Sequence, residues 1–302
     1  MMLTGIHLLL TYQCMYECDH CFVFGSPFAK GVMTIEDVEQ ILRQSRDLGT
    51  VRWIYFEGGE PFLYYPIMLR GARRAKEMGF NVGVVTDAHW ATSLQDAEEW
   101  LRPLKSIGVS DLSISDDPFH YGESTENLAK IGIKAAERLG LPVDTITIEA
   151  PKREPRERAG LKGMEVKGGE VMFRGRAVEK LLGGVPTKPW KAFDECRHED
   201  FSDQRRVHVD PFGFIHLCQG LVMGNWRETP IPELVAGFEP HSHPICGPIL
   251  EGGPAGLVER YGVDHEEEYV DECHLCYRAR VTLRGRFPKY LAPPQMYGEV
   301  GK

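Results

Sequence analysis

No stretch of the chain is apolar for long enough to cross a bilayer. The longest apolar run near the N-terminus, residues 6–10, has His7 inside it and falls far short of the ~20 residues that a spanning helix needs. The run has no basic flank and no small-residue cleavage site, so it does not read as a signal peptide. It reads as a buried first strand, and the chain is expected to be cytoplasmic. An excess of positive charge is also missing: 35 Lys and Arg stand against 44 Asp and Glu, a formal net charge of −9. A surface that neutralises phosphates needs the opposite balance, so neither nucleic acid nor a membrane is expected as a partner. The acidity suits a cationic or neutral partner and also serves solubility. No internal repeat or low-complexity tract stands out.

Cysteine, by contrast, is plentiful and uneven. Cys14, Cys18 and Cys21 sit at one end, and Cys196, Cys218, Cys246, Cys273 and Cys276 at the other. The 302 residues can bury a core without staples, and in a cytoplasmic chain these cysteines do not read as a disulfide framework. They suggest metal chemistry in two places.

The first half alternates strands and helices. Strands are expected at 5–12, 51–56, 80–85, 111–115 and 143–148, and helices at 33–48, 66–78, 94–107 and 125–139. Thr34 is a candidate N-cap, and Gly49, Gly79, Gly108 and Gly140 are candidate stops. Such alternation implies an α/β fold with a parallel sheet, and ligands bind beyond the carboxyl ends of its strands. The rhythm fails after Pro151: 152–169 reads as a charged loop, and 171–173 as a sixth strand. Residues 207–209 and 214–218 flank Asp210-Pro211-Phe212-Gly213 as a β-hairpin. The remainder shows little helical pattern. A boundary is placed near residue 185, giving domains 1–185 and 186–302.

Cys14-x3-Cys18-x2-Cys21 follows the first strand directly. Three thiolates on so short a loop can converge on an iron–sulfur cube and leave one iron open. A Cys3His zinc site using His20, or inert buried thiols, are the alternatives. With Gly58-Gly59-Glu60-Pro61 after the second strand, the pattern resembles the radical S-adenosylmethionine (radical SAM) superfamily. The resemblance implies a partial (βα)6 barrel and a catalytic [4Fe-4S] cluster on Cys14, Cys18 and Cys21. It also implies S-adenosylmethionine bound to the open iron and cleaved to a 5′-deoxyadenosyl radical, with a flavodoxin or ferredoxin as reductant. By resemblance, Gly58, Gly59 and Glu60 hold the methionine amino group. Glycines let backbone oxygens approach closely, and Glu60 supplies opposite charge.

Thr86-Asp87-Ala88 and Ser115-Asp116-Asp117-Pro118 are similar to the family's ribose- and carboxylate-contacting strand ends, which implies cosubstrate contacts at Thr86, Ser115 and Asp117. Each also reads as a turn or helix cap. Three departures stand out: Glu57 replaces a small hydroxyl residue, Ala88 replaces a usual Gly, and the fifth strand shows no adenine signature. Glu57, Asp116, Asp117 and His120 could meet a cationic or hydroxylated substrate, or be surface charge.

Cys196, Gly213-x4-Cys218 and Cys273-x2-Cys276 resemble the Twitch form of the SPASM domain. The resemblance implies an auxiliary [4Fe-4S] cluster, with a four-cysteine zinc site as the alternative. Cys246 is left over. It reads either as an inert buried thiol or as a hydrogen-atom donor to a substrate radical, as in the family's aminoglycoside epimerase of similar layout. The leading expectation is therefore an epimerase of a sugar or aminoglycoside, helped by the few residues before Cys14. A peptide maturase forming thioether or C–C crosslinks, a radical dehydrogenase and a non-enzymatic electron-transfer protein are the alternatives.

Overall fold

The computed structural model describes residues 2–152, 162–163 and 168–299. The first strand, β1 (Gly5–Thr11), is buried along its whole length. It is followed by α1 (Ile35–Leu48), β2 (Trp53–Gly58), α2 (Tyr65–Glu77), β3 (Asn81–Thr86), α3 (Leu94–Ile107) and β4 (Asp111–Ser115). A single turn, α4 (Pro118–Tyr121), α5 (Leu128–Leu139) and β5 (Val143–Glu149) complete the alternating part. Then come β6 (Gly168–Glu170), α6 (Ala177–Lys180), β7 (Lys188–Pro189), β8 (Arg206–Val209), β9 (Phe214–Cys218) and β10 (Leu221–Asn225). The chain ends with α7 (Ile231–Gly237), α8 (Cys246–Tyr261), β11 (Glu268–Tyr269) and α9 (Glu272–Leu283).

Local chemistry sets these bounds. Thr34 and Asp37 form a reciprocal capping box at the start of α1, and Gly49 ends it at φ 75°, a left-handed conformation that costs glycine little. Ser93 and Asn127 cap α3 and α5, with Gly108 and Gly140 as their left-handed stops. The apolar faces of these helices lie on the sheet. Where α2 crosses β2, a Cβ on Gly71 would fall 2.7 Å from the Phe56 ring, so glycine is what permits that close approach. Phe56 itself is fully buried, and its loss would cost about 3–5 kcal/mol.

Nine strands form one sheet in the order β10-β9-β8-β1-β2-β3-β4-β5-β6, and β7 and β11 pair antiparallel in a second. All neighbours from β8 through β1 to β6 are parallel, and β8, β9 and β10 pair antiparallel. The result is the mixed α/β architecture of a partial barrel. Side chains alternate across it. Ile6, Leu8 and Leu10 are buried under the helices, whereas His7 and Leu9 line a central cavity of about 260 Å³. In the same way β2 turns Tyr55 and Glu57 inward, and β8 turns Arg206 and His208 inward.

Three expectations need revision. The sixth strand, β6, forms the far edge at Gly168–Glu170 rather than at 171–173, pairing with Thr147–Glu149 of β5. Most of the expected loop 152–169 lies outside the described residues. The C-terminal part is more helical than its composition suggested. Its longest helix, α8, breaks at Gly252 and Gly253 and contains Pro254. Helix α9 buries Glu272, His274 and Arg280 along with its apolar residues. Neither therefore shows the one-sided stripe by which helices are read. The hairpin stands where expected, yet β8 pairs directly with β1, His7 opposite His208. The sheet thus runs on across the boundary placed at residue 185.

Candidate active site

The cysteine loop leaves β1 at the carboxyl end of the sheet and curls around Gly25. A Cβ on Gly25 would lie 3.3 Å from Cys14 Cβ and 3.6 Å from Cys21 Sγ. The Tyr16 amide donates to Cys14 Sγ at 3.4 Å and the Gly25 amide to Cys21 Sγ at 3.2 Å. Cys14, Cys18 and Cys21 all line the central cavity and all are free thiols. Burial pushes the Cys14 and Cys21 thiols up, so it takes a bound cation to make them thiolates. Three thiols open to one cavity, two of them met by amide donors, fit an iron–sulfur cluster.

Arg176 clamps the loop, donating to Cys18 O at 2.8 Å and Gly25 O at 2.9 Å. Gly175, at φ 61°, makes this possible, because a Cβ there would sit 2.6 Å from Cys21 O. Arg176 was not anticipated. Its only sequence signal is the Arg174-Gly175-Arg176 tripeptide, which has no fixed spacing to the cysteines.

The glycine-rich segment runs alongside the loop. Gly59 donates to Thr11 O at 2.7 Å and Glu60 to Gln13 O at 2.8 Å. A Cβ on Gly59 would fall 2.0 Å from Gln13 O, so backbone packs on backbone there. Gly58, Gly59, Thr86 and Ser115 line the cavity together with Asp87, Ser113 and His120. Glu60 and Asp117, expected to contact the cosubstrate, do not line it and have other work. Glu60 is fully buried and accepts from Phe62 N–H at 2.9 Å, Asp87 N–H at 2.7 Å and the Thr86 hydroxyl at 2.9 Å. It braces the end of β3. Asp117 caps α4 through the Phe119 and His120 amides and takes His120 Nδ1 at 2.9 Å. Burial pushes His120 down, but Asp117 and the neighbouring Cys18 outweigh it and raise its pKa to about 10. Ala88 adopts φ 58°, which explains why glycine suits that position.

Cys196, Cys218, Cys273 and Cys276 line a second, smaller cavity with Glu199, Arg174 and Arg280. Sequence positions 80 apart are thus brought together. Cys218 and Arg174 line both cavities, and Arg174 Nη1 lies 3.3 Å from Cys218 Sγ. Four thiols facing two guanidiniums, that of Arg280 buried, fit an anionic metal centre. Cys246 lines neither cavity. It is fully buried at the start of α8, where its amide donates to His243 Nδ1 at 3.1 Å. Burial raises its thiol pKa, with Cys218 and Cys276 as the next influences. The expected orientation of Cys246 toward the substrate is therefore corrected: its neighbours are the C-terminal cysteines.

Residues 8–148 match the Radical SAM superfamily. This part of the chain carries a radical SAM domain, and members of that superfamily use S-adenosylmethionine and a [4Fe-4S] cluster. Among curated proteins it is 26% identical over 115 residues to the "Putative peptide biosynthesis protein YydG" of Bacillus subtilis (strain 168), covering 38% of this chain and 36% of that protein. It is 30% identical over 113 residues to the "Probable GTP 3',8-cyclase" of Thermococcus kodakarensis, covering 37% and 34%. The chain thus spans about a third of the length of these relatives. Among solved structures, BtrN in complex with AdoMet and 2-DOIA aligns over 92% of both chains with a TM-score of 0.57 at 14% identity, a likeness of fold. No helix among the described residues is long and apolar enough to cross a membrane.

Proposed function

We propose that this enzyme oxidises a small hydroxylated or amino-bearing substrate held in the central cavity. Cys14, Cys18 and Cys21 would hold the catalytic cluster, and Cys196, Cys218, Cys273 and Cys276 an auxiliary one. When bound, the catalytic cluster and S-adenosylmethionine supply hydrogen-atom abstraction. The chain's own residues orient the reactants: Gly58 and Gly59 offer backbone oxygens to an ammonium group, and Thr86 and Ser115 offer hydroxyls. His7, Glu57, Arg206 and His208 make the cavity floor polar, which suits hydroxyl and amino groups better than an aliphatic side chain.

The observation that carries the oxidative reading is that Cys218 and Arg174 line both cavities. Through Cys218 an auxiliary cluster held there would border the substrate chamber, close enough to accept an electron. Epimerisation, the leading expectation from sequence, needs a hydrogen donor facing the substrate, and Cys246 lines neither cavity. The likeness to a protein described as acting in peptide biosynthesis supports a second reading, peptide maturation.

Anaerobic holoenzyme with dithionite and S-adenosylmethionine, offered aminocyclitols, amino sugars and short peptides, tests these readings by mass spectrometry. Oxidation gives 5′-deoxyadenosine and a product two mass units lighter. A product that instead gains one deuterium from D2O overturns the oxidative reading. No 5′-deoxyadenosine under any condition overturns the radical reading itself.

A further inference from the structure

Three side chains on the cavity floor stand apart from the cosubstrate site. His7, Glu57 and His208 project inward from β1, β2 and β8, which are adjacent in the sheet. Glu57 Oε1 lies 3.0 Å from His208 Nε2 and 3.4 Å from His7 Nδ1, and one donor atom from each residue falls within 4.8 Å of the others. We propose that these three residues hold a divalent first-row transition cation.

Two imidazoles and one carboxylate on one side of an open space form a facial donor set of the kind that binds such ions. Ligands at about 2.1 Å from a metal are roughly 3.0 Å apart at a right angle and roughly 3.4 Å apart at a tetrahedral angle. The two measured separations fall at these values. The donors sit on strands, which hold geometry better than loops. His7 is fixed further by stacking on Tyr55, with ring centroids 4.5 Å apart and planes 11° from parallel.

Two other groups of histidines and acids adjoin the same cavity, and they differ in one respect. Glu60 takes amide and hydroxyl donors, and Asp117 caps a helical turn. Glu57 Oε1 is buried and receives no hydrogen bond of normal geometry from any described residue. Its charge partners are the two imidazoles, which as neutral rings can share a cation with it. The ion's remaining positions would face the cavity, where an oxygen or amine of the substrate can enter. The site does not depend on the oxidative reading, because it uses none of the cysteines.

The test uses reconstituted holoenzyme, stripped with EDTA and titrated with Mn2+, with free Mn2+ counted by room-temperature electron paramagnetic resonance. One Mn2+ is expected to be taken up per chain. Glu57→Gln and His208→Asn should each weaken that uptake tenfold or more. Iron content and circular dichroism identify any variant that has lost its fold, and Glu57→Gln changes shape least. The proposal is overturned if the unaltered holoenzyme leaves millimolar Mn2+ free, or if affinity stays within twofold in both folded variants. Uptake that survives both changes and is lost in Asp87→Asn would place the ion beside Glu60 and overturn it equally.

Discussion

Glu60 offers a direct choice between two roles. If it bound the methionine ammonium, its negative charge would be essential. In the structure it braces the end of β3 instead, accepting from two amides and the Thr86 hydroxyl. Burial and the adjacent Asp87 push its carboxyl pKa well up, which favours the neutral form. A neutral isostere should therefore serve nearly as well. Glu60→Gln keeps one acceptor oxygen and loses the other, a cost of about 1.5 kcal/mol. Glu60→Ala strands the Phe62 and Asp87 amides and the Thr86 hydroxyl in a dry site. At somewhat over 1 kcal/mol each, this comes to about 4 kcal/mol. For a chain of this size the melting temperature should fall by roughly 10 °C for Ala and by about a third of that for Gln. Differential scanning fluorimetry and calorimetric titration of holoenzyme with S-adenosylmethionine read both effects. Affinity should fall with stability, because Thr86 and Asp87 line the cavity. If Gln abolishes cosubstrate binding as fully as Ala, with the melting temperature unmoved, Glu60 is a counter-charge and the bracing argument fails.

Changing Cys14, Cys18 and Cys21 together to Ala should abolish 5′-deoxyadenosine formation while about half the iron remains, by chemical assay. That fraction follows from one cluster of equal size on each side, and retained cleavage would refute the ligand assignment. Gly59→Ala would place a Cβ 2.0 Å from Gln13 O. It should lower S-adenosylmethionine affinity by at least tenfold in the same calorimetric titration, since backbone must move. Asp37 joins α1 to the segment after β10 through Arg227, at 2.7 Å. Burial pushes its carboxyl up, but Arg227 and Thr34 outweigh this and leave it lowered. Its stabilisation is therefore present above the unfolded-state pKa of about 4 and lost as pH falls through the lower folded value. Asp37→Asn should cost about 1 kcal/mol at pH 7, and the gap in melting temperature should close in acid.

Legibility in the sequence followed the reach of each interaction. Caps and stops such as Thr34, Gly49 and Gly108 act within a few residues, so the alternating part could be read closely. The cysteine loop was legible because all three cysteines lie on one short segment. The convergence of Cys196 with Cys273 and Cys276 was legible only through resemblance, since nothing local ties them. Arg176, Arg174 and the His7–Glu57–His208 group were out of reach, because each depends on strands or loops brought together from distant positions. Glu60 shows a subtler limit. Its position was evident, but its task depends on which donors surround it, and those come from the next strand.

The pairing of β8 with β1 bears on how the chain can be divided. A cut near residue 185 would remove β8 and turn β1, the most apolar strand of the sheet, into an edge. Its amides and carbonyls on that side, now bonded across Gly5–Leu8, would be presented to any passing strand, the arrangement that invites aggregation. The N-terminal half expressed alone should therefore self-associate, even though it contains every residue of the cysteine loop. Cys218 ends β9, in the same sheet whose β1 leads into Cys14, so the ladder of β1, β8 and β9 links one cysteine of each region.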